Sequence, residues 1–285
     1  MQVAIIGLGL IGGSLGLALK QKTEPGWKVV GYIRRPEVAT TALKVGAIDR
    51  AEKTLKDTVK EADLVIIATP ALTIREILSR IVDHLPDGCT VTDTASTKFQ
   101  VMQLAHEILP PRVNFIGGHP MAGKELYGIE AAEAGLFQRC IYCLTPEEKT
   151  PPEALDKVIN MVKMLGATPM LIDAQEHDGL VAGISHLPLL LSAALVSATT
   201  KDPSWHKMSR LAASGYHDLT RLASGNPQVN ADICLSNSKA IIRWIDKLKQ
   251  ELDRYRELVS AEDENLQEAL TEAREARENW LNERK

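Results

Sequence analysis

The chain has few aromatic residues: Phe, Tyr and Trp make up 4% of its 285 residues. Its core must therefore rest on Leu, Ile, Val, Ala and Met. Cysteine is scarce too, with Cys89, Cys140, Cys143 and Cys234 the whole complement. Cys140 and Cys143 have C-x-x-C spacing, but they fall in an apolar run that reads as a strand. Residues three apart in a strand point to opposite faces, and no second Cys/His pair stands nearby at metal spacing. Neither a redox pair nor a bound metal is expected. Thiols left reduced suit a cytoplasmic chain. No basic segment precedes the first apolar run, so no secretory signal is expected. No apolar run reads as long enough to span a bilayer, so no membrane association is expected. The formal net charge of −4 argues against nucleic acid as the partner. The acidic excess is local: residues 251–285 carry eleven acids against six bases.

Over the first 172 residues, short apolar runs alternate with amphipathic stretches. The runs are 3–6, 28–32, 64–68, 90–92, 114–116, 141–144 and 169–172. Between several of them lie helical patterns at 11–20, 36–44, 72–84, 98–109 and 152–165. This alternation predicts an α/β fold, a Rossmann-type, doubly wound, mostly parallel sheet. After Asp173 only helical periodicity continues, over 175–200, 205–224, 228–258 and 261–283. We therefore expect a dinucleotide-binding domain over 1–170 and an all-helical substrate and dimerisation domain over 171–285. Leu187–Val196 is almost wholly apolar, which suits a homodimer contact. Leu266, Leu270 and Ala273 form one stripe on the last helix, which suits packing on a partner surface.

Gly7-Leu8-Gly9-Leu10-Ile11-Gly12 follows the first apolar run and opens a helical pattern. This is G-x-G-x-x-G in the strand-to-helix setting that a dinucleotide site requires. Gly7 permits the tight turn, Gly9 lets the backbone approach a pyrophosphate, and Gly12 lets helix and sheet pack closely. The second run ends at Ile33-Arg34-Arg35. An NAD site usually places an acid there for the ribose hydroxyls. Arg34 and Arg35 instead suit a 2′-phosphate, so NADP is expected over NAD. Thr69-Pro70 and Asp93-Thr94-Ala95-Ser96 end two further strands. Both segments should border the nicotinamide, because ligands lie outside the carboxyl ends of strands in such sheets.

Gly117-Gly118-His119-Pro120 follows another strand, which places His119 on an irregular loop over the cofactor. Histidine suits proton abstraction near neutral pH. A loop histidine merely bonded to a carbonyl is the alternative. Asp178 and His186 are two helical turns apart and share a face. They read as interior polar groups at the domain junction. His177, His217 and Asp218 are weaker candidates.

GLGLIGGS at the start, TDTASTK (92–98), GGHPMAG (117–123), ISHLP (184–188) and SGYHDLTRLASGNP (214–227) occur in this order. Together they resemble the prephenate/arogenate dehydrogenase family of tyrosine biosynthesis. The resemblance runs from residue 1 to about 250. It implies oxidative decarboxylation of a cyclohexadienol, prephenate or arogenate, with hydride leaving C4 for the nicotinamide. It implies that His119 is the base for the 4-hydroxyl and that Ser96 orients it. Arg221 would grip the ring carboxylate, and Ser185 and His186 would support the substrate from the second domain. Some prephenate-using members carry a further histidine where this chain has Leu189. That departure and the paired arginines resemble NADP-using arogenate members. No chorismate mutase module and no regulatory amino-acid-binding domain are expected, so inhibition by tyrosine would be competitive. Two other readings stand beside this one. One is a β-hydroxyacid dehydrogenase or imine reductase, which normally needs a lysine base in the second domain or no base. The other is a non-catalytic NADP-binding regulator.

Overall fold

The structure is a computed structural model that describes residues 1–22, 27–124 and 126–283. The last two residues of the expected second domain lie outside them. The chain falls into two compact units, Met1–Ser238 and a second that begins at Lys239.

The first unit is built on an eight-stranded sheet. Its strands are β1 (Gln2–Ile6), β2 (Lys28–Tyr32), β3 (Arg50–Ala51), β4 (Leu64–Ile67), β5 (Thr90–Asp93), β6 (Asn114–Pro120), β7 (Ile141–Thr145) and β8 (Thr168–Leu171). Their spatial order is β3-β2-β1-β4-β5-β6-β7-β8. Every pairing is parallel except β6 with β7. The doubly wound sheet expected from the alternation is therefore present.

Side chains alternate across the sheet, so β1 feeds two cores. Val3 and Ile5 pack on one face with Leu15 and Leu19 of α1 (Leu10–Lys22), Ala42 of α2 (Pro36–Lys44) and Val158 of α6 (Pro152–Met164). Ala4 and Ile6 pack on the other face. Their neighbours include Val59 of α3 (Leu55–Val59), Leu78 of α4 (Ile74–Ile81) and Val101 of α5 (Phe99–Ile108). Each fully buried Val, Leu or Ile among them contributes about 1.5–3 kcal/mol.

Chain order reverses between β1 and β4, which opens a crevice outside their carboxyl ends. Gly7 turns the chain there with φ +99°, a conformation that favours glycine. A Cβ on Gly7 would lie 2.6 Å from the Ala68 carbonyl oxygen at the end of β4.

Among the described residues no strand follows β8. Asp173 caps α7 (Ala174–Val181), its carboxylate accepting from the amides of Gln175 and Glu176. A π-helical turn, Ala182–His186, joins α7 to α8 (Leu187–Thr200). The continuous helical stretch expected over 175–200 is present, and the π-helical turn inside it carries no local sequence signal. The resulting stretch Ala174–Thr200 is long and apolar enough, by length and composition, to cross a membrane, and 22% of its most apolar window is buried. This corrects the expectation that no run reaches bilayer length. His177, Asp178 and His186 are nevertheless buried within it as part of a polar network.

Four shorter segments follow. They are α9 (Trp205–Leu211), α10 (Ser214–Thr220), a 3₁₀ turn over Arg221–Ser224, and α11 (Pro227–Ser236). Asn226 caps α11, with Pro227 as its first residue. The second unit holds most of α12 (Ser238–Ser260) and α13 (Asn265–Glu283). Within it the Tyr255 hydroxyl donates to the Ala269 carbonyl.

Candidate active site

Two cavities open at the crevice. One, of about 540 Å³, is lined by Gly7, Gly9, Tyr32, Arg34, Arg80 and Gln228 among others. The other, of about 410 Å³, runs past Gly9, Leu10 and Ile11 to Ser96, His119 and Lys124. Gly9, Ala68, Thr69, Pro70 and Asp232 line both.

The glycine turn fits a dinucleotide on structural grounds. A Cβ on Gly9 would meet nothing within 4 Å. Protein packing therefore gives no reason for glycine there, whereas close approach of a ligand does. The first amides of α1 have no partner within the helix, and its first turn carries no acid. Both features suit a pyrophosphate. Leu8 is fully buried, and a Cβ on Gly12 would collide with the Gly7 carbonyl. Arg34 lines the larger cavity, beside Arg80 and Glu76. Arg35 stands at the cap of α2 and is not among the residues lining either cavity.

His119 does not sit on a loop. It lies inside β6, opposite Cys143 of β7, in the antiparallel half of that strand. The strand runs on past Ile116 because its ladder changes partner there, from β5 to β7. Beneath it lies a buried ion pair, Lys98 with Asp93, both without exposure. The Lys98 ammonium also donates to the Gly118 carbonyl at 2.7 Å, and Asp93 accepts from the Gly118 amide at 3.1 Å. Asp93 further accepts from the Ala95 amide at 2.8 Å. The residue before His119 is thus clamped through both of its backbone polar groups. Burial pulls the Lys98 ammonium below its ordinary pKa, against the pull of Asp93.

Behind the imidazole runs a chain of bonds. His119 Nδ1 lies 2.9 Å from His177 Nε2, and His177 Nδ1 lies 2.8 Å from Asp178 Oδ1. A carboxylate only accepts, so Nδ1 of His177 carries the hydrogen. In a neutral His177, Nε2 is then an acceptor, and His119 donates to it from Nδ1. That leaves Nε2 of His119 with a bare lone pair. The Asp178 carboxylate also accepts from the amides of Lys98 at 2.7 Å and Phe99 at 3.0 Å, at the start of α5. It ties α7 to the segment that carries Ser96. Burial, then the neighbouring His177, Lys98 and His186, hold the His119 pKa well below the ordinary histidine value. His119 is therefore held as a neutral imidazole near pH 7.

The cleft does not gather every expected residue. Ser96 lines it, half-buried, without a side-chain hydrogen bond to His119. Thr69 and Pro70 line it as well. Ser185 is exposed in the π-helical turn and does not line it. His186 is buried behind the relay, 3.3 Å from Asn237 Nδ2 through its Nδ1. Burial pushes its pKa down to about 4. Arg221 is exposed at the start of the 3₁₀ turn that packs against α8. It is not among the cleft-lining residues, although Gly225 and Asn226 just after that turn are.

His177, a weaker candidate in the sequence, contacts the candidate base, and two residues that the sequence did not single out join the site. Asn237 bonds the Asp178 carbonyl at 2.7 Å and joins the relay to His186. Lys124 is the cation that lines the cleft wall, and it is paired with Glu133 at 2.6 Å.

A doubly wound sheet with a glycine turn at its switch point, joined to a helical segment around a buried histidine, defines a nucleotide-binding oxidoreductase. The nucleotide-binding domain of prephenate dehydrogenase matches residues 15–171, and its dimerisation domain matches residues 173–272. The chain belongs to the prephenate dehydrogenase family. It is 39% identical to prephenate dehydrogenase of Bacillus subtilis over 270 residues, spanning 93% of this chain and 72% of that one. Among solved structures it resembles prephenate dehydrogenase from A. aeolicus, in complex with hydroxyphenyl propionate and NAD+. The TM-score is 0.91 and the identity 30%, over 98% of each chain. Synechocystis arogenate dehydrogenase gives a TM-score of 0.83 and 32% identity, over 98% of this chain and all of that one.

Proposed function

We propose that the chain oxidises and decarboxylates prephenate or arogenate, with His119 as the base and NADP preferred over NAD. The bound nicotinamide supplies the acceptor for the hydride that leaves C4. His119 takes the 4-hydroxyl proton on Nε2. The imidazolium that forms is stabilised through His177 by the Asp178 carboxylate. Ser96, on the same cleft wall, orients the hydroxyl. Loss of CO2 then makes the ring aromatic, and the phenolate oxygen recovers a proton. Arg221 grips the ring carboxylate once substrate is bound, and the nearby Gly225 and Asn226 in the cleft wall support that assignment. Ser185 and His186 assist from behind the relay. Such orientation of a ring lowers a barrier by several kcal/mol (about 7–11 at most).

The observation that carries this reading is the bonded chain His119–His177–Asp178, which leaves a neutral imidazole in the wall of a cleft that begins at the glycine turn. The helical segment in that wall contributes Gly225, Asn226, Val229, Asn230, Asp232 and Ile233. None is a lysine, which counts against the β-hydroxyacid dehydrogenase alternative. Arg34 in the larger cavity, with no acid at the end of β2, supports NADP. The chain assembles as a homodimer through its helical region. Leu180, Ile184 and Leu191 are exposed there, and the matched dimerisation domain spans them. It works in the cytoplasm, as a soluble biosynthetic enzyme would.

The test is to supply prephenate or arogenate with NADP+ or NAD+ and to follow absorbance of the reduced nicotinamide. Turnover is expected, fastest with NADP+. No turnover with either substrate would contradict the reading, and a clear preference for NAD+ would remove Arg34 from its assigned role.

A further inference from the structure

Asp232 lies in α11 and is 3% exposed, yet it lines both cavities. Its Oδ1 accepts from Gln228 Nε2 at 2.8 Å. No protein group among the described residues donates to its other carboxylate oxygen, and no cation is paired with it. The helix is fixed in place. The Ser236 hydroxyl donates to the Asp232 carbonyl at 2.7 Å and lies 2.9 Å from Thr97 Oγ1. Thr97 follows Ser96 directly, so Asp232 is referenced to the same segment as the cleft wall.

A buried carboxylate without a cation is costly unless donors satisfy it. An acceptor with one committed and one open oxygen at the partition of two cavities therefore fits a ligand that brings hydroxyl donors. We infer that Asp232 is a cofactor-binding residue, whose open oxygen accepts from the ribose hydroxyls on the nicotinamide half of the dinucleotide. This rests on the cofactor reading above. The cavity with Tyr32 and Arg34 suits the adenosine half. The reacting ring must lie in the cleft beside His119. What joins them has to pass the partition formed by Gly9, Thr69 and Asp232. Beside Gly9 that linker is the pyrophosphate, which has no donor. The next group toward the ring is a ribose with two hydroxyls. Gln228 fixes the carboxylate for this contact.

The test measures binding by calorimetry on the full chain, apart from turnover. Asp232→Asn should weaken NADP+ about tenfold or more, as expected for a lost hydrogen bond to a charged group. It should leave 2′,5′-ADP, which lacks the nicotinamide ribose, within about twofold. Gln228→Ala should give a smaller loss with the same selectivity. If the Asp232 variant fails to fold, the wild-type chain still decides. A dinucleotide with 2′-deoxyribose on the nicotinamide side should bind several-fold more weakly than its parent. Equal loss for NADP+ and 2′,5′-ADP, or no loss for either, would overturn the inference. So would a loss confined to the carboxamide, seen when the 3-acetylpyridine dinucleotide binds the wild type and the variant alike. Failure of the wild type to bind any dinucleotide would overturn the cofactor reading itself.

Discussion

His119 and Arg221 carry the two halves of the proposed chemistry, and their surroundings are opposite. His119 is buried, its neighbour Gly118 is held on both backbone groups, and its Nδ1 is committed to a relay. Arg221 is exposed at the start of a short 3₁₀ turn. The contrast teaches a division of labour. A base must be held neutral and in one tautomer before substrate arrives, which requires burial and a fixed partner. A long cation that grips a carboxylate can be positioned by the substrate it meets.

The comparison is broken most directly at the base. His119→Asn should lower kcat by about 10²–10⁴ with little change in KM, whereas Arg221→Ala should mainly raise KM. Steady-state kinetics with prephenate and arogenate separate the two. If Lys124→Ala raised KM and Arg221→Ala did not, the carboxylate grip would belong to the cation already in the cleft wall.

The floor under the histidine comes next. Lys98→Met should cost about 3–5 kcal/mol of stability, because it leaves Asp93 buried without its partner. Arg254→Ala, which breaks an exposed pair with Glu251 in the second unit, should cost less than about 1 kcal/mol. Urea denaturation of both variants checks the difference.

Asp178→Asn should reduce kcat by at least about tenfold, because an amide no longer enforces the Nδ1–H tautomer of His177. A turnover equal to wild type would make the relay a packing feature. A further effect concerns acid. The folded-state pKa of His186 is depressed to about 4, and that of His119 is depressed well below 6.5. The unfolded chain therefore binds more protons below pH 6.5. Stability from keeping these rings neutral is full above that pH and is lost as pH falls toward 4. Thermal melts between pH 4 and 7 should show a decline that shrinks in His186→Asn.

Much of this was legible in the residues. The glycine turn and the mostly parallel sheet follow from local pattern, because strand, turn and helix signals are short-range. What failed to show was long-range. β3 has two residues, too few for a periodicity to register. β6 runs through His119 because β7, the next strand in sequence, pairs antiparallel with its second half, and no local signal announces that change of partner. Lys98 reads as a solvated lysine by residue type, and only folding brings Asp93 and Gly118 to it. His177 sits at the start of an ordinary-looking helix, 58 residues from His119. Asp232 shows in sequence only as an acid within a helical stretch.

His119 waits as a neutral ring with its hydrogen on Nδ1 and a lone pair on Nε2. Nitrogen NMR of histidine-labelled protein at pH 7, assigned with His119→Asn, reads this directly. A protonated Nδ1 and an unprotonated Nε2 are expected for His119. An Nε2–H tautomer or an imidazolium at that pH would contradict this.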